Sequence, residues 1–391
     1  MTPPFSWSKY FRYVATGLCF IYAFKIVDLA LENTPISKRL ERANLDALFQ
    51  GKPLDVSKDI FLVTVTDDDY RQEFAGTSPL QPAKLNEIIS AILADHPKVL
   101  GVDFDTSDWT DVEIPPHNGT TIVWARELIS TDGKTELGGM PTKTAKSDCY
   151  GVPSYVPDDD SIIREYSEWA VGSGRVYPTL PVNLAGAFQN QPCVVEQPLK
   201  GGKQTGDSPR MLINYAGDAR SFNRLSAGAL LKLKGTGANP LKDKLVLLGG
   251  SYRAARDAYP TPVGYLDGVV ILAQTAQTRL PGHELRTERW GLLGGWMQLQ
   301  SYVLLLVGFF LPKGWRMAIT LVTGPIDAFL GNWIWFYTGS TFISFMPYLV
   351  GLIAHQTYDH IKDYRTLRKE NREMKDRLRA HGLAVPKTDD D

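Results

Sequence analysis

Cysteine is scarce in this chain. Three cysteines, Cys19, Cys149 and Cys193, are too few for a disulfide-dense scaffold or a structural zinc cluster. Net charge is scarce as well. Basic and acidic residues number 42 and 43, leaving −1, so no basic field draws the chain to nucleic acid. The common catalytic signatures are missing too. There is no H-E-x-x-H, no C-x-x-C and no G-x-S-x-G, which removes the zinc-protease, redox and hydrolase motifs. Gly201-Gly202-Lys203-Gln204 lacks the Ser or Thr that follows a P-loop lysine, and Gln197 stands where the first glycine belongs. Gly172-Ser173-Gly174 lacks the third glycine of a dinucleotide fingerprint. No internal repeat is visible.

What is present is length and an uneven spread of apolar residues. The chain has 391 residues, more than one average domain, and its 22% charged content separates it from disordered chains. From Trp290 to Pro312 no charged residue occurs, about the ~20 residues a membrane helix needs. A second run covers Met317 to Tyr337, with Asp327 as its one charge. A third covers Phe342 to Tyr358. Near the N-terminus Tyr13 to Phe24 is uncharged, and apolar residues continue to Leu31 around Lys25 and Asp28. No A-x-A site precedes Glu32, so this run is expected to be an uncleaved anchor. Basic residues then set the orientation. Lys9 and Arg12, Lys313 and Arg316, and Lys362, Arg365, Arg368 and Lys369 all fall on one side if the chain crosses four times. The expected organisation is a cytoplasmic N-terminus and first crossing over 1–31 and an exported block over 32–288. Three crossings over 289–358 and a cytoplasmic tail over 359–391 complete it. The exported block is periplasmic in a Gram-negative cell. Two readings stand for Cys149 and Cys193, a disulfide in that block or two buried thiols.

The exported block reads as α/β, with a parallel or mixed sheet. Ile60-Phe61-Leu62-Val63-Thr64-Val65-Thr66 is a continuous β-rich run, as a strand buried on both faces requires. After Asp67-Asp68-Asp69, Pro82 and the three- and four-residue spacing of Leu85, Ile88, Ile89, Ile92 and Leu93 predict a helix. A second strand follows over 99–105. Strand, helix and strand in that order imply a parallel crossover. Further strands are expected over 121–124, 211–215 and 244–248. Helices are expected over 225–233 and 267–280, and a long loop over 134–155.

These residues resemble the CHASE2 family of extracellular sensory domains. The likeness spans roughly Ile60 to Pro281. It rests on Val63-Thr64-Val65-Thr66-Asp67-Asp68, Val99-Leu100-Gly101-Val102-Asp103 and Asp158-Asp159-Asp160-Ser161-Ile162-Ile163-Arg164. It rests further on Ile213-Asn214-Tyr215-Ala216-Gly217, on Lys242 to Gly249, on Asp257 to Gly264 and on Gly268-Val269-Val270-Ile271. The resemblance implies one membrane helix before the domain, three after it and a sensory role. Leu272 stands where it implies a histidine. The resemblance also implies a cyclase, kinase or similar output domain in many members; with roughly 30 residues following Tyr358, none is expected here.

Three candidate constellations remain, with a membrane pair and a tail. Asp67, Asp68 and Asp69 with Asp103 and Asp105 fall at neighbouring strand ends, where α/β sheets bind ligands. They suit a divalent cation such as Ca²⁺ or Mg²⁺, or are strand-end turns and helix caps. Ser251, Arg253 and Arg256 beside Gly249 and Gly250 suit an anion, or form a tight turn. Arg164 pairs with Asp158 or Asp160 on the plainest reading. Lys25 and Asp327 lie at similar depth and are expected to pair within the membrane, or Asp327 conducts protons. Gly291 and Gly295 form a small-residue spacing that suits close helix packing or a loop end. In the tail, Tyr364, Leu367, Asn371, Met374 and Leu378 follow the spacing of coiled-coil core positions. Asp363 with Arg368 and Glu370 with Lys375 fall as flanking charge pairs of a parallel dimer. A charged helix lying on membrane lipid is the rival reading.

The expected function is a non-enzymatic membrane sensor or signalling adaptor without a resident cofactor. It acts as a homodimer or larger oligomer, and its tail meets a separate cytoplasmic signalling protein. The alternatives are a structural subunit bound to envelope proteins and a metal-dependent ectodomain enzyme.

Overall fold

A computed structural model describes residues 34–52, 55–109, 112–117, 119–131, 134–138, 148–199, 210–218, 220–288, 332–343 and 346–380. The chain forms two compact units, Leu45–Arg286 and a unit of the two flanks, Met1–Asn44 with Thr287–Asp391.

Leu45–Arg286 is built on six parallel strands, β1 (Ile60–Val65), β2 (Val99–Asp103), β3 (Thr121–Ala125), β4 (Cys149–Gly151), β5 (Asn223–Ser226) and β6 (Leu245–Gly250). They lie side by side in the order β5-β1-β6-β2-β3-β4. Every neighbouring pair is parallel, so of the two sheet types expected the parallel one is present. In the register Gly249 faces Asp103, and Val65 faces Gly250. Strands this apolar are stable only when helices cover both faces. The helices are the end of α1 (Pro35–Gln50) from Leu45 onward, α2 (Asp67–Gln72), α3 (Pro82–Ala94), α4 (Leu180–Phe188), α5 (Ala227–Leu233) and α6 (Gly268–Thr278).

One face carries Val63, Val65, Leu100, Val102, Val246 and Leu248, packed in one core with Ile88 and Ile92 of α3 and Leu230 of α5. The alternate strand positions point to the other face. There a Cβ added at Gly101 would sit 2.7 Å from Leu184 of α4. One added at Gly249 would sit 2.7 Å from Val269 of α6. Glycine therefore lets both helices lie close on the sheet. Every residue of α6 is buried, Leu272 included, so an apolar side chain suits that position. Cys149 of β4 is joined by a disulfide to Cys193, five residues beyond α4, with the Cα atoms 5.8 Å apart.

Three expectations are corrected. The stretch 134–155 is not one loop. Lys134–Leu137 pairs antiparallel with Leu128–Thr131, and Cys149–Gly151 is strand β4 of the main sheet. A three-residue strand is too short to show a period, so its composition hid it. The strand expected over 211–215 is Arg210–Leu212, and it pairs antiparallel with Ile163–Ser167 outside the main sheet. The helix expected from residue 225 begins at Ala227, because Asn223–Ser226 is an edge strand and Ser226 caps the helix by accepting from the Ala229 N–H.

In the flanking unit the described residues include α7 (Asn332–Gly339) and α8 (Met346–Ala380). Among the described residues no helix is long and apolar enough to cross a membrane. Within α8 the apolar character stops at Ala354, and His355, Gln356, Asp359 and His360 follow within the same helix. The hydrophobic runs Tyr13 to Phe24 and Trp290 to Pro312, the greater part of Met317 to Tyr337, and Lys25, Asp327, Gly291 and Gly295 lie outside the described residues.

Candidate ligand pocket

At the carboxyl ends of β6, β2 and β3 lies a cavity of about 340 Å³. Such a crevice is where open α/β sheets receive ligands. Its walls come from segments far apart in the chain. Asp103 and Asp105 follow β2, Arg126 and Glu127 follow β3, and Tyr155 comes from the loop after β4. Asp257 and Tyr259 come from the hairpin Ala258–Thr261 with Gly264–Asp267 and its approach.

The electrostatics of the pocket are dominated by burial. Asp103 keeps partial exposure, yet protein crowds its carboxyl group closely. Burial, then the charges of Asp257 and Glu127, push its pKa up to about 8. Burial likewise pushes Asp257 up to about 6, against a hydrogen bond from Tyr259, with Asp267 and Glu127 adding to the rise. The Tyr155 phenol is pushed well above its ordinary range, first by burial and then by the charges of Asp103 and Asp257. Two carboxyl groups driven upward in one cleft make that cleft a candidate functional site. Arg126 is fixed to the wall. Its Nε donates to the Gly138 carbonyl at 2.6 Å, and its guanidinium lies 4.9 Å from the Tyr150 ring centre.

Asp257 is held at the start of α6. The Gly268 N–H donates to the Asp257 carbonyl at 2.8 Å. A Cβ at Gly268 would lie 2.3 Å from the Asp257 Oδ2. Gly268→Ala is therefore expected to push the Asp257 carboxylate out of place and cost about 1–3 kcal/mol, as overpacking does. Thermal unfolding of the full chain checks this, and an unchanged midpoint would mean the carboxylate moves aside freely.

The sequence candidates separate into two groups. Asp103 and Asp105 line the cavity, and Asp105 accepts from the Ser107 N–H at 3.0 Å. Asp67, Asp68, Ser251, Arg253 and Arg256 do not line it. Asp67 accepts from the Arg253 N–H at 2.8 Å, and their side chains lie 3.5 Å apart with that of Arg253 almost fully exposed. Asp68 pairs with Arg71 at the surface. Asp69 completes a capping box with Thr66 and accepts from the Gly228 N–H at 3.0 Å, tying α2 to α5. Ser251 donates to the Val65 carbonyl from its backbone N–H, and Arg256 is exposed in a left-handed turn at φ 54°. Among the described residues no group of three or more His, Cys, Asp or Glu side chains is placed to hold a metal ion.

Sequence reasoning singled out neither Glu127, Tyr155, Asp257 nor Tyr259 as wall residues. Asp257 and Tyr259 did lie in a segment that carries the family likeness. Their convergence on Asp103 is a product of the fold alone.

In the tail, α8 carries Tyr364, Leu367 and Met374 at about 60% exposure each, so no described residue covers this stripe. Asn371 is exposed and Leu378 half-buried.

The CHASE2 domain family matches residues 18–312, more than half of the chain. The match extends well beyond Ile60–Pro281, into the run Tyr13 to Phe24 and through the run Trp290 to Pro312. No curated protein and no solved structure matches. The family is sensory and extracellular, which agrees with a signalling role, a non-enzyme and an exported domain. A parallel α/β domain with a polar crevice at its carboxyl edge, matched over this span, places the chain in the CHASE2 family of sensory domains.

Proposed function

We propose that this chain is a membrane-anchored sensor and signalling adaptor. The domain faces the periplasm or cell exterior and receives a small ligand in the crevice between β6, β2 and β3. The hydrophobic runs on either side cross the membrane, and the tail engages a separate cytoplasmic signalling protein as a dimer. The observation that carries the reading is the crevice itself, a roomy polar cavity at a sheet edge in a domain of a sensory family. The tail supports it. Helix α8 is continuous over 35 residues, about 50 Å, so a displacement at one end reaches the other through a single element. Its exposed stripe has the spacing of a coiled-coil seam, and tethering in a membrane raises the effective concentration of two such tails.

Gentle purification of the tagged full chain from native membranes, beside a version ending after Tyr358, tests the relay. A cytoplasmic kinase, cyclase or response regulator that is lost with the tail is the expected result. Envelope proteins alone, retained without the tail, would replace the adaptor with a structural subunit of an envelope complex.

A further inference from the structure

The chemistry of the crevice narrows what it can hold. Among the described residues lining it are four carboxyl groups, those of Asp103, Asp105, Glu127 and Asp257. Arg126 is the one basic side chain among those residues, and it is committed to the Gly138 carbonyl and the Tyr150 ring. Asp105 is committed to the Ser107 N–H, and Asp257 accepts from Tyr259. Asp103 meets no hydrogen-bond donor among the described residues, and its partly exposed carboxyl group is crowded by protein where it lines the cavity. A crowded acid without a donor is costly unless a ligand supplies one.

Each ligand class can be weighed against this wall. An anion would face four carboxyl groups and a single guanidinium already engaged by the wall. A bare metal ion needs several oxygens converging at 2.3–2.6 Å if it is Ca²⁺. No such group of three acids exists among the described residues, and a cavity of about 340 Å³ is far larger than an ion. An organic cation satisfies both the charge and the volume. Its ammonium meets the carboxylates, and its carbon body meets Phe104, Ile129 and Pro153. The Tyr155 and Tyr259 rings, edge to face with centres 5.3 Å apart, offer the π surface that attracts such cations.

We propose that the crevice binds a small organic ammonium ion, with Asp103, Asp257 and Glu127 as counter-charges and the Tyr155 and Tyr259 rings beside it. This rests on reading the crevice as the sensing site. Binding charges the site and sends its protons to solvent. The titratable and charged groups that face Asp103 across the cavity are Asp257, Glu127, Asp105, Tyr155, Tyr259 and Arg126. Asp257 ionises near 6 and Asp103 near 8, so affinity for a cation rises as pH climbs through that window.

Calorimetric titration of the detergent-solubilised full chain tests the proposal, with putrescine, calcium chloride and glucose as three separate probes. Putrescine is expected to bind saturably, and roughly tenfold or more tightly at pH 8 than at pH 6. Asp103→Asn and Asp257→Asn are each expected to weaken it about tenfold or more, and Tyr155→Leu a few-fold. Asp68→Asn, on the outer surface, is expected to change nothing. Saturable binding of calcium or glucose in place of putrescine, sensitive to the same variants, would overturn the ligand class and keep the sensing site. No binding of any probe would overturn the proposal. Failure here with the tail-dependent partner still present leaves the adaptor reading intact, and the reverse result leaves the ligand intact.

Discussion

Arg164→Met is expected to cost about 3–5 kcal/mol of folding stability, the loss typical of breaking a buried ionic cluster from one side. Arg164 is 2% exposed on the strand Ile163–Ser167. Its guanidinium meets Asp46 of α1 through two hydrogen bonds of 2.7 Å. It meets Asp160 through two of 2.9 Å and Asp158 through one of 2.7 Å. The three carboxylates hold its pKa well above the ordinary range against the opposing effect of burial. Methionine has the volume but leaves three acids facing one another with no cation between them. The planar fork matters as much as the charge, since it serves Asp46 and Asp160 in two-pronged fashion at once. Arg164→Lys is therefore expected to recover less than half of the loss. Thermal or denaturant unfolding of the full chain reads both variants. A loss below about 1 kcal/mol for methionine would mean the cluster behaves as a surface ion pair.

The cluster also shows what kind of information a sequence carries. Asp158 and Asp160 lie within six residues of Arg164, so local pairing was readable. Asp46 lies 118 residues away on a helix that apolar spacing did not announce, and it supplies two of the strongest contacts. The same division runs through the domain. Strands β1, β2 and β6 were legible because both of their faces are buried and the residues run apolar without a break. Strand β4 was not, because Cys149-Tyr150-Gly151 is short and Gly151 is chosen for space. A Cβ there would meet the Leu180 backbone at 2.4 Å. Among the acids, spacing put Asp67, Asp68, Asp69, Asp103 and Asp105 at one sheet edge, and they are at one edge. It did not separate the acids that cap a helix from those that face a cavity. Asp69 spends its oxygens on Thr66 and Gly228, whereas Asp103 meets no donor among the described residues. That difference depends on Asp257, Glu127 and Tyr155, which arrive from elsewhere in the chain.

Asp103→Asn is expected to stabilise the unliganded protein at neutral and alkaline pH. In an unfolded chain the carboxyl ionises near its ordinary value, whereas in the fold it is pushed up to about 8 by burial and by Asp257 and Glu127. Between those two values the folded state holds a proton that the unfolded state has released. Stability contributed by the protonated form is thus fully present below about pH 4 and is lost as pH rises toward 8. Above that, the folded state carries the whole cost of an enclosed charge. Asparagine has nearly the same shape as the protonated acid and does not titrate. The variant and the parent should therefore unfold together at pH 4 and separate steadily as pH rises. The gap should reach on the order of 5 kcal/mol near pH 8. Unfolding midpoints measured across this range without added amine decide the matter. Equal midpoints at pH 8 would mean that Asp103 is ionised and well solvated, and the crevice would lose its strongest claim on a cation. A more stable variant that no longer binds putrescine would show the opposite. Its lost binding could not be blamed on misfolding, and the acid would stand as a group kept at a cost to stability for the ligand it receives.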